Sequence, residues 1–172
     1  MNLPNKLTVL RVLMIPFFVA FYLLGHPYIA DALFIIASLT DMLDGKIARK
    51  YNLITTFGKF MDPLADKLLV SSALICFVGL HRVPAWIVIV IISREFIISG
   101  FRLVAAEAGK VIAAGWWGKV KTAVTMVTII VMIPAFLPAI IETILVYACL
   151  ILTVISLIDY LSKNRDVIGG DM

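Results

Sequence analysis

Asp41, Asp44, Asp62 and Asp66 stand in pairs three and four residues apart within a chain that is 62% apolar. On an α-helix such spacings stack side chains on one face, so Asp41 and Asp44 share a face of one helix and Asp62 and Asp66 a face of another. Two facing helices would aim four carboxylates at one point. Charges so close repel and take up protons unless something positive sits between them. A hard divalent cation held by oxygen ligands resolves the conflict, and the spacing therefore predicts a metal site.

The neighbouring residues fit phosphate better than a proton wire. Gly45 lies one turn beyond Asp41 and Gly58 one turn before Asp62, where a missing side chain lets a ligand or another helix approach the backbone. Arg49 offers a permanent planar cation suited to phosphate, and Thr55 and Thr56 can donate to an oxygen. A second polar set follows. Arg94 and Glu95 fall about 15 Å along an apolar run that starts at Pro84, near mid-bilayer if that run crosses a membrane, and an arginine there should face a polar cavity. Arg102 lies roughly two turns on, along the same side, and Lys119 and Lys121 open the next apolar run. These four cations are candidates for a pocket that takes an anionic acceptor beside the carboxylates. The alternative reading makes them snorkelling anchors or helix–helix ion pairs, Lys110 included.

The elements that must position these groups are membrane helices. With 172 residues and 15% charged side chains, the composition lies outside the ordinary soluble range. Apolar runs of about 20 residues, enough to cross ~30 Å of hydrocarbon, predict six spans at 7–24, 28–51, 59–80, 84–107, 117–136 and 138–160. Of the fifteen Lys and Arg, all but Arg82 and Arg94 fall near the first terminus, the 2–3 turn, the 4–5 turn and the last terminus. By the positive-inside rule both termini are cytoplasmic. The net charge of +4 thus reports topology and attraction to anionic membrane lipid, not nucleic acid. Asp41, about 20 Å along the second span, sits in the cytoplasmic third of the bilayer, so the site opens to the cytosol.

Short turns, with no linker or repeat, predict one domain over 1–172: an all-α bundle of six transmembrane helices, with a short interfacial segment at Asn2–Asn5 before a helix that begins near Leu7. The first span follows Lys6 as a signal peptide would, but lacks a small-x-small cleavage site and reads as retained. Cys76 and Cys149, isolated in apolar spans, read as buried free thiols. His26 and His81 read as loop residues, and Trp86, Trp116 and Trp117 as interfacial belts. Intramembrane acids also occur in ion pathways. A transporter, however, needs them at mid-depth with access from both faces, whereas these lie near one interface beside an arginine and two glycines.

The run Asp41-x2-Asp44-Gly45-x2-Ala48-Arg49-x8-Gly58-x3-Asp62-x3-Asp66 resembles the signature of the CDP-alcohol phosphotransferase family at every position. The resemblance implies a six-span homodimer in the cytoplasmic membrane, with two Mg2+ or Mn2+ ions per subunit, in which an alcohol displaces CMP from a CDP-linked lipid. Carried over, Asp41, Asp44 and Asp62 are metal ligands, and Asp66 is both a ligand and the general base. Gly45, Ala48, Arg49, Thr55 and Gly58 form the site for the CDP-linked lipid. Asn5 and Thr8, in Asn5-Lys6-Leu7-Thr8, resemble the family's N-terminal contribution to that site, with helix capping and turn formation as the alternative. Ser93-Arg94-Glu95 through Phe101-Arg102, and Trp117-Gly118-Lys119-Val120-Lys121-Thr122, are similar to family members that act on CDP-diacylglycerol and glycerol 3-phosphate. Leu103 to Glu107 departs from them in being less polar. Inositol phosphate stays open as the acceptor; serine fits the cations poorly.

Overall fold

The computed structural model describes residues 2–51, 55–107, 109, 112–113 and 115–164, with the backbone alone for 42–50, 56 and 59. Six helices account for nearly all of these residues: α1 (Leu3–Leu23), α2 (Pro27–Lys50), α3 (Thr56–Gly79), α4 (Ala85–Glu107), α5 (Trp116–Met132) and α6 (Ala139–Lys163). None of the described residues forms a strand. The all-α expectation holds. α1 and α6 are long and apolar enough to cross a membrane.

The helices divide into two compact units. In the first, formed by α1, α2, α3 and residues 129–136, α1 packs against both α2 and α3. Aromatic rings close its core: Phe18 lies 5.6 Å from Phe34 and Tyr22 lies 5.9 Å from Phe77, centroid to centroid. Ala30 and Ala37 on α2, and Ala65 and Ala73 on α3, are fully buried. Their small side chains let helix backbones approach closely where a larger residue would hold them apart.

The interfacial lead-in expected at Asn2–Asn5 is instead the first turn of α1. Asn2 caps the helix, its side chain accepting from the Asn5 backbone N–H at 3.2 Å. Pro4 stands in that first turn, where its missing N–H forfeits no helical bond. Pro16 in α1 and Pro63 in α3 lie inside their helices. Pro63 directly follows Asp62, so the backbone ladder loses one bond beside the acid.

The second unit comprises α4, α5 up to Thr128, and α6. α6 turns one stripe inward, Val146, Cys149, Thr153, Ser156 and Tyr160, at alternating spacings of three and four, and it packs against α4. Arg82, before α4, forks onto Glu142 in the first turn of α6, with Nε 3.2 Å from Oε2 and Nη2 on Oε1. Cys149 Sγ lies 3.3 Å from Thr128 Oγ1, and both cysteines are free and buried, as expected.

α5 ends at Met132, earlier than the 136 expected from its apolar run. Pro134 cannot donate to the ladder and biases Ile133 away from helix. Ala135 takes a left-handed φ of 58°, and α6 starts directly after Pro138.

Candidate functional site

The inward face of α1 is polar at its start. Asn5, Thr8 and Arg11, three residues apart and all buried, line one side of the helix, and each engages a different part of the first unit. Asn5 Oδ1 accepts from the Thr55 hydroxyl at 2.9 Å, and Thr55 Oγ1 in turn accepts from the Gly58 N–H at 3.0 Å, capping α3. The Thr8 hydroxyl lies 2.5 Å from Asp62 Oδ1 and 3.1 Å from the Pro4 carbonyl. It has one proton, and the carboxylate is the stronger acceptor. Arg11 is fully buried; its Nη1 lies 2.8 Å from Asp41 Oδ1, and its Nε donates to the Ala37 carbonyl at 3.2 Å.

These bonds bring Asp41 of α2 and Asp62 of α3 close enough that their charges repel one another. Gly58 forms the floor of the same corner. A Cβ there would meet Asn5 Oδ1 at 3.3 Å, Thr55 Oγ1 at 3.3 Å and Asp62 Oδ2 at 3.4 Å, so three oxygens converge where only a hydrogen fits. Asp66 stands one turn beyond Asp62 on α3 and is partly buried. Asp44, Gly45, Ala48 and Arg49 lie on α2, but their side chains fall outside the described residues. Among the described residues no three metal-binding side chains form a group.

The donors present are all oxygens, from carboxylates, hydroxyls and an amide, which suits a hard cation and excludes a soft one. Mg2+ needs only one or two carboxylates beside water and substrate phosphate. Asp41 and Asp62 across facing helices fit that requirement.

Of the expected residues, Asn5, Thr55 and Gly58 are thus joined by hydrogen bonds, Thr8 is joined to Asp62, and Asp41 is reached by Arg11. Arg11 is the member to which sequence reasoning gave no role in the site. The signal was its place three residues after Thr8, on the face that carries Asn5.

In the second unit Arg94 and Lys121 are held in ion pairs. Arg94 Nη1 and Lys121 Nζ both reach Glu95 Oε1, at 2.9 Å and 2.6 Å, and Arg94 Nη2 bonds Ser156 Oγ. Gly118 makes room, since a Cβ there would stand 3.3 Å from Arg94 Nη2. Arg94 and Lys121 therefore take the ion-pair geometry that was the alternative to a substrate pocket. Two turns along α4, the Arg102 guanidinium lies 6.0 Å from the Tyr160 ring centroid. Arg102 Nε, Arg94 Nε and the Tyr160 hydroxyl are buried without a hydrogen-bond partner. Lys119 is exposed.

A helical chain with paired carboxylates among oxygen donors, and with the sequence run from Asp41 to Asp66, defines a class. The CDP-alcohol phosphatidyltransferase family model matches residues 1–161, and the chain belongs to that family. It is 43% identical to the CDP-diacylglycerol–glycerol-3-phosphate 3-phosphatidyltransferase of Bacillus subtilis, over 97% of each chain. It is 45% identical to the protein of that name from Haemophilus influenzae, over 95% of this chain and 94% of that one. A probable phosphatidylglycerophosphate synthase of Mycobacterium tuberculosis is 41% identical, over 98% of this chain and 84% of that one.

Proposed function

We propose that this chain transfers the phosphatidyl group from CDP-diacylglycerol to sn-glycerol 3-phosphate, giving phosphatidylglycerophosphate and CMP. The observation that carries this reading is the identity of 43% and 45%, over nearly whole chains, to enzymes named for that reaction.

Asp66 takes the proton from the primary hydroxyl of glycerol 3-phosphate. The freed oxygen attacks the phosphorus that bears diacylglycerol, and the bond to the CMP phosphate breaks. Asp41, Asp44, Asp62 and Asp66 hold two Mg2+ or Mn2+ ions, which when bound polarise the diphosphate and neutralise the leaving group. Thr8 fixes one oxygen of Asp62, leaving the other for the cation. Asn5, Thr8, Gly45, Ala48, Arg49, Thr55 and Gly58 receive the CDP part, with Arg49 as the cation suited to its phosphates.

The acceptor phosphate goes to the cations of α4 and α5. Arg94 and Lys121 share one carboxylate, so positive charge is in excess there, and Arg102 and Lys119 add to it.

The setting is a membrane crossed six times, with both termini and the acids on the cytoplasmic side and two copies forming a homodimer. Outward apolar side chains on helices of both units support it, among them Leu13, Phe17, Ile36, Leu68, Ile89 and Ile151. The sorting of basic residues supports the orientation. The unbroken family match over 1–161 supports a single catalytic domain.

The test is purified protein supplied with CDP-diacylglycerol, Mg2+ or Mn2+ and one alcohol at a time, following CMP release. Release should require glycerol 3-phosphate and stop on chelation. Release with inositol phosphate and none with glycerol 3-phosphate would reassign the acceptor.

A further inference from the structure

Resting on that reading, we propose that Arg11 is a positioning residue for the acidic site: its guanidinium fixes Asp41 Oδ1 and so presents Oδ2 to the divalent cation. Two contacts do the fixing. Nε donates to the Ala37 carbonyl at 3.2 Å, and Nη1 stands 2.8 Å from the carboxylate as an ion pair, without hydrogen-bond alignment; these points lie one turn apart on α2. The Nε bond anchors the planar guanidinium to α2, and the anchored charge holds Oδ1 of Asp41 on its side, which a flexible ammonium does not.

Burial makes the arrangement firm. Arg11 is fully enclosed, so no water substitutes for either contact, and its attraction to Asp41 outweighs the repulsion from Asp62. Thr8, one turn earlier on α1, fixes Oδ1 of Asp62 in the same sense. One helix face thus orients an acid on each of its two neighbours. Groups that hold a ligating side chain in this way tune the affinity of a metal site without touching the metal.

The experiment is a Mn2+ titration of the full-length protein in detergent micelles, without substrates, reading free Mn2+ by electron paramagnetic resonance. Wild type is compared with Arg11→Gln and Arg11→Lys, with fold checked by circular dichroism and size exclusion. Arg11→Gln should weaken Mn2+ binding about 10–100-fold. Arg11→Lys should fall between, because an ammonium keeps the charge but cannot bridge both acceptors. At saturating metal the KM for CDP-diacylglycerol should stay at its wild-type value.

Wild-type Mn2+ affinity in Arg11→Gln overturns the proposal. So does tighter binding, which would make Arg11 a rival of the metal. If Arg11→Gln does not fold, Arg11→Lys decides, and an unchanged affinity there overturns it equally. Wild-type protein that binds no Mn2+ overturns the metal reading itself and this proposal with it, whereas normal wild-type binding with unaltered variants defeats only the role of Arg11.

Discussion

Gly58→Ala separates the geometry of the site from the stability of the fold. The added methyl would stand 3.3 Å from both Asn5 Oδ1 and Thr55 Oγ1 and 3.4 Å from Asp62 Oδ2. Ordinary contacts begin near 3.4 Å, so the neighbours must yield by a few tenths of an ångström. The fold should tolerate this. Alanine in a helix is favoured over glycine by up to about 1 kcal/mol, and its N–H remains to donate to Thr55. The chemistry should not tolerate it equally. A misplacement of about 1 Å costs about 10²-fold, so one of about 0.3 Å costs about 4-fold if the exponent follows displacement, and a range of about 3–10-fold in kcat/KM is expected. CMP release in mixed micelles gives the rate, and thermal unfolding in the same detergent gives the stability. Tm should hold or rise while turnover falls, and Gly58→Val should fall further. Full turnover with normal KM for CDP-diacylglycerol in Gly58→Ala would mean that the corner around Gly58 is not where the reacting groups sit.

Asp66→Asn should lower turnover by at least about 10²-fold, the usual contribution of a general base, while CDP-diacylglycerol still binds; near-normal turnover would remove Asp66 from that role. Thr8→Val, which keeps the shape but removes the donor to Asp62, should cost about 1.5–3 kcal/mol in transition-state stabilisation, as for hydrogen bonds to charged groups, and Thr8→Ser should restore most of it. An equal defect in both variants would point to packing rather than the hydroxyl. Arg102→Ala should raise KM for glycerol 3-phosphate and leave that for CDP-diacylglycerol unchanged, and the opposite pattern in steady-state kinetics would move the acceptor site elsewhere.

The acids and their helices are legible in the sequence because few arrangements satisfy both constraints at once. A carboxylate in an apolar run must find a partner, and carboxylates three or four apart must share a helix face. The helix ends are less legible. Apolar composition continues to Phe136, and only the backbone chemistry of Pro134 stops α5 at Met132. The partners of the cations are the least legible. Adjacent residues on a helix do not face each other, so Arg94 and Glu95 do not read as a pair. They become one when Lys121, from α5, closes on the same oxygen. Arg11 presents the same difficulty: near the N-terminus of a membrane chain it reads as a topology signal, and its engagement with Asp41 depends on the packing of α1 against α2.

The cluster of Asp41, Asp62 and Arg11 holds one more acid than base, and the cluster of Arg94, Lys121 and Glu95 one more base than acid, and this has a chemical consequence. In a low-dielectric surround an uncompensated charge is expensive, so a lasting imbalance implies a ligand of the opposite sign. Asp62 repels Asp41 while Arg11 pairs with Asp41 Oδ1, and an incoming cation neutralises the carboxylate charge that remains. Arg94 and Lys121 divide a single carboxylate oxygen, with Arg94 Nε and Arg102 Nε still lacking acceptors, and an incoming anion supplies them. A reaction between a metal-bound diphosphate and a phosphorylated alcohol needs one site of each kind. A proton or cation pathway would have no use for the second, and on this ground the phosphatidyl-transfer reading is preferred over ion transport.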